Sequence, residues 1–90
     1  MNKNFRLHMI VENIKAKDRK IISRMILSQK NGTIDINDNT LSFKEDNDSM
    51  TIELKNPDDS IIISIVEIVD VLGLKVKPNS KNKKIIIEYE

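Results

Sequence analysis

The sequence predicts an α+β fold of ferredoxin-like order, β-α-β-β-α-β, with two helices packed on one face of an antiparallel sheet. Three observations carry that prediction. Alternating apolar residues open and close the chain, apolar residues at helical spacing follow Asp18, and a second apolar run follows Asn56-Pro57-Asp58-Asp59. Periods of two and of 3.6 therefore take turns along the chain, as they do where helices cross over a sheet.

Phe5, Leu7, Met9 and Val11 alternate with Arg6, His8, Ile10 and Glu12, which predicts a half-buried strand over residues 4–13. Ile21, Ile22, Met25 and Ile26 then predict a helix over 17–29, with Asp18 as its N-cap and Asn31-Gly32 as its stop. Residues 33–55 read as an antiparallel meander. Ile34 and Ile36 share one face, Asn37-Asp38-Asn39-Thr40 supplies a turn, and Leu41 and Phe43 resume beyond it. A second polar turn over 45–49 leads to Met50, Ile52 and Leu54, so the segment holds two or three strands and the fold allows an extra hairpin strand.

Asn56 caps the second predicted helix, 57–72, with Pro57 at its first position and two aspartates complementing the dipole. Ser60, Ser64 and Glu67 form its polar stripe and Gly73 ends it. Leu74 and Val76 begin another extended segment, residues 78–82 form a turn, and Ile85, Ile86, Ile87 and Tyr89 close the sheet. The order of elements resembles that of several small ferredoxin-like subunits of larger assemblies, without a shared motif.

The 90 residues suit one α+β domain, 1–90. Cysteine is absent, which removes disulfides and thiolate metal sites and fits a cytoplasmic protein. The longest apolar-rich stretch, 61–74, is interrupted by Ser64, Glu67 and Asp70 and is too short and too charged to span a bilayer. No membrane partner is expected.

Charge is laid out in blocks. Residues 1–30 hold eight bases against two acids, 31–73 hold ten acids against two lysines, and 74–90 hold five lysines against two glutamates. A net charge of +1 thus conceals a dipolar chain, and such blocks speak to partners rather than to chemistry. In a ferredoxin-like sheet the first and last strands lie side by side. The basic groups Lys15, Lys17, Arg19, Lys20 and Arg24, and Lys75, Lys77, Lys81, Lys83 and Lys84, are then expected to merge into one surface.

Catalytic chemistry finds little support. His8 is the only histidine, the serines and threonines have no base in evident relation to them, and two glycines cannot build a phosphate loop. The acidic turns around Asp35, Asp38, Glu45, Asp46 and Asp48 lack the EF-hand pattern and read as solvated. The expectation is a non-enzymatic chain with no metal, cofactor or small-molecule substrate.

Two functions remain. The first is a protein-interaction module, a homodimer or a subunit or inhibitor of a larger assembly, acting through the second helix, by Ile62, Val66 and Val69 or by Ile63 with its neighbours, or through a sheet edge. The alternative is a nucleic-acid-binding module that sets the merged lysines and arginines on phosphates.

Overall fold

The computed structural model describes residues 14–79 and 83–89. The predicted first strand, with His8, lies outside the described residues. Among the described residues, two helices, α1 (Ala16–Ser28) and α2 (Asp59–Val71), accompany five strands, β1 (Gly32–Ile36), β2 (Asn39–Asp46), β3 (Ser49–Leu54), β4 (Lys75–Asn79) and β5 (Lys84–Glu88). The strands form one antiparallel sheet in the order β1-β2-β3-β5-β4.

That order corrects the ferredoxin-like expectation while keeping the α+β class. β3 and β4 run parallel with β5 between them, so α2 is the crossover of one split β-α-β unit. The remaining pairings are local hairpins: β1-β2-β3 is a continuous meander, and β4 folds straight back onto β5. Neighbouring segments close short loops, which costs less chain entropy than a long crossover. The undecided segment 33–55 resolves into three strands, and Pro78 and Asn79, expected in a turn, are the last residues of β4.

Several boundaries move for identifiable reasons. α1 starts one residue earlier than expected and its N-cap position is Lys15, which makes no side-chain cap; Asp18 lies inside the first turn, where its charge favours the helix dipole. Gln29, not Gly32, adopts the left-handed conformation that ends α1, at φ 52°. The amides of Gln29 and Lys30 return to the carbonyls of Ile26 and Met25, and Gly32 is left free to open β1. At α2 the cap is Asp58, whose carboxylate accepts the Ile61 amide at 3.1 Å. Asn56, expected as the cap, stands two residues ahead of that position, and its backbone is held elsewhere.

The holder is Asn39, a polar residue only 4% exposed. Its Oδ1 accepts the amides of Thr40 and Asn56, both at 3.0 Å, and its Nδ2 donates to the Asn56 carbonyl at 2.8 Å. The β1-β2 turn is thereby tied to the loop that launches α2. Asn37 and Asp38 make that turn with positive φ at both positions, the twist a two-residue hairpin requires.

The inner face of the sheet carries Ile36, Leu41, Phe43, Met50, Ile52, Leu54, Ile85 and Ile87, all buried. Ile22 and Ile26 of α1 and Ile61, Ile65, Ile68 and Val69 of α2 close over it in one hydrophobic cluster. Burial of each such side chain contributes roughly 1.5–3 kcal/mol. Tyr89, just past β5, donates its hydroxyl to the Ile26 carbonyl and so anchors α1 to the sheet. Burial raises the Tyr89 pKa above the usual 10.0.

The outer face is polar and its charges alternate across the strands. Glu53 is in register with Lys84, Lys75 with Glu88, and Lys77 reaches Glu88 at 3.3 Å. Counted over this face, Lys44, Lys75, Lys77 and Lys84 balance Asp35, Asp46, Glu53 and Glu88. The segregation of charge seen along the sequence is therefore undone here by strand pairing.

Candidate interaction surface

Each helix spends one stripe on the sheet and leaves another facing its neighbour. On α1, Ala16, Lys20, Ser23, Arg24 and Leu27 fall at helical spacing on one flank, with Arg19 beside them. On α2 the matching flank is Ser64, Glu67, Ile68 and Val71, followed by Leu72. Together they line an open groove of about 540 Å³ between the helices.

The groove combines apolar and charged groups. Leu27 is 60% exposed and Val71 84%, on opposite walls, an uncommon exposure for side chains whose transfer from water is favourable. Arg19, Lys20 and Arg24 stand along the α1 wall, and Glu67 stands on the α2 wall. No ion pair among the described residues bridges the two walls. The Nε of Arg19 is buried with no hydrogen-bond partner there, an arrangement that leaves a desolvated donor unsatisfied.

Charge divides cleanly between the helices. α1 carries Lys17, Arg19, Lys20 and Arg24 against Asp18, or +3; α2 carries Asp59, Glu67 and Asp70 with no base, or −3. Over these two described helices the charge sums to zero and is strongly polarised from one to the other.

The residues singled out from sequence are distributed unevenly over this surface. Val69 is completely buried, because its stripe of α2 lies on the sheet, so it cannot present an interface. Ile62 and Val66 are half-buried and packed against the core. The exposed apolar residues of α2 are Ile63, the alternative drawn from the sequence, and Val71. Lys15, Lys17, Lys20 and Arg24 are exposed around α1, and Arg19 is half-buried.

The C-terminal lysines do not join that group. Lys75 and Lys77 lie on the outer face of β4 and Lys84 on the outer face of β5, across the sheet from α1. Lys83 is half-buried just ahead of β5, and Lys81 lies outside the described residues. The expected merger rested on neighbouring first and last strands, and the β3-β5 pairing replaces that neighbour relation among the described residues.

Two further residues carry the site without having been marked in the sequence. Leu27 breaks the Ile22-Ile26 stripe of α1, and Val71 ends the apolar run of α2 one position before Leu72. The spacing of Leu27 to Lys20 and Arg24, i+7 and i+3, was the available signal that it shares their flank.

The acidic turns remain apart from this surface. Asp35 accepts the Thr40 hydroxyl at 2.9 Å, and among the described residues no three potential ligands come together for a metal ion. Neither described helix is long and apolar enough to cross a membrane. No family model matches the chain, and no curated protein or solved structure shows detectable similarity to it.

Proposed function

We propose that the chain is a non-catalytic protein-interaction module whose docking surface is the helical layer. The observation that carries this reading is the pair of exposed apolar residues, Leu27 and Val71, on facing walls of one groove. Apolar side chains bordered by charge are the usual anatomy of a specific interface, in which the centre excludes water and the rim selects the partner. On α2 the docking residues are those of the groove flank, and Ile62 and Val66 pack against the core instead.

Nucleic-acid binding, the alternative, draws on Arg19, Lys20 and Arg24. It is the weaker reading because Glu67 lines the same groove as the cations and α2 carries three acids and no base, opposing a run of phosphates. The distance of Lys75, Lys77 and Lys84 across the sheet removes the second half of its binding surface.

A photo-crosslinking residue placed at Val71, with Thr33 on the outer face as control, tests the interaction reading in the native host. Covalent protein adducts at position 71 and none at position 33 are expected. Equal labelling at both positions, no adduct at 71, or adducts made only of nucleic acid would overturn it.

A further inference from the structure

The polarisation of the helical layer identifies the partner. Building on the interaction reading, we infer that the groove face binds a second copy of this chain, about a two-fold axis running along the groove between α1 and α2.

The case rests on charge. An acidic partner segment would meet Arg19, Lys20 and Arg24 but also Glu67, and a basic one would meet the reverse mismatch. A second copy satisfies both walls. Rotation about an axis along the groove lays α1, at +3, over α2 of the other copy, at −3, and symmetry makes the same pairing twice. The exposed Leu27 and Val71, in the last turns of their helices, then leave water against the other copy.

Size sets the strength. Two 13-residue helices, each about 20 Å long and about 10 Å wide, offer a face of roughly 20 by 20 Å. That is about 400 Å² per copy, below the size of stable interfaces and typical of transient ones, so the dimer is weak, dissociates at tens to hundreds of micromolar or above, and loosens several-fold as salt screens the rim charges.

Sedimentation equilibrium of the full chain tests this with two charge-reversal variants, Lys20→Glu/Arg24→Glu and Glu67→Lys/Asp70→Lys, each checked for native circular dichroism. The wild type is expected to reach twice its monomer mass. Each variant alone sets like charges over each other and dimerises at least tenfold more weakly. Mixed, the two variants restore opposite charges at both helix pairs, and a heterodimer of near wild-type affinity results.

A wild-type dimer indifferent to both variants, or variants that weaken without rescue on mixing, would overturn the inference. So would a wild-type monomer at all concentrations, and the crosslink at position 71 then separates the two claims. An adduct to a different protein would leave the interaction reading standing and remove the second copy. With no adduct, both fall.

Discussion

Asn39 grips the backbone of Asn56 from both sides, accepting its amide and donating to its carbonyl while taking the Thr40 amide with the same oxygen. A single buried carboxamide thus positions the start of α2, and with it the acidic wall of the groove. Asn39→Leu fills the space but strands both backbone groups of Asn56. The expected loss is about 2–4 kcal/mol, since desolvated groups are left unpaired. Chemical denaturation checks it, and a loss below about 0.5 kcal/mol would show that the carboxamide is dispensable.

Gln29 closes α1 in a left-handed conformation that a side chain tolerates poorly. Gln29→Gly removes that strain at a site where the helix has already ended, so stability rises by about 1 kcal/mol. A midpoint that falls instead would mean the Gln29 side chain holds the cap.

Tyr89 makes stability depend on alkaline pH. Because burial raises its pKa above 10.0, the folded chain keeps the phenolic proton where the unfolded chain begins to lose it. Its contribution is complete below about pH 10 and is lost as pH rises through the folded pKa. Tyr89→Phe costs about 1 kcal/mol at neutral pH through the lost bond to Ile26, and the gap to wild type narrows in alkali. The chain has one tyrosine and no tryptophan, so the phenolate absorbance follows this group alone. A titration midpoint at or below 10.0 would contradict the assignment.

Val69 and Val71, two positions apart, separate folding from association. Val69→Asp buries an unpaired carboxylate in the core and costs more than about 3 kcal/mol. Val71→Asp alters a side chain that is 84% exposed and shifts stability by no more than about 0.5 kcal/mol, while self-association is lost. Thermal melts and sedimentation of the two variants distinguish these outcomes.

Local patterns in the sequence were legible where they depended on near neighbours. Asn56-Pro57-Asp58-Asp59 marked the start of α2 to within two residues, Gly73 marked its end with φ 78°, and the period-two runs of β2 and β3 point their apolar residues inward. Strand order was not legible, because β5 can pair with β3 or with a first strand using the same alternating isoleucines. The candidate site was half legible for the same reason. The cations of α1 were visible as a cluster, but which of the broad apolar stripes of α2 faces the sheet is decided by packing. Hence Val69 is buried and Val71 is open. The cross-strand pairing of Glu53 with Lys84 and Lys75 with Glu88 likewise dissolves a charge block that is real along the chain.

The most direct measurement is the concentration dependence of backbone amide chemical shifts in the intact chain. Shifts confined to α1 and α2, strongest around Arg19, Arg24, Leu27, Glu67 and Val71 and absent from the outer-face residues Thr33, Ser42 and Thr51, are the predicted result. Shifts centred on the outer face or a sheet edge, or none at all across the micromolar range, would contradict a groove that meets its own copy.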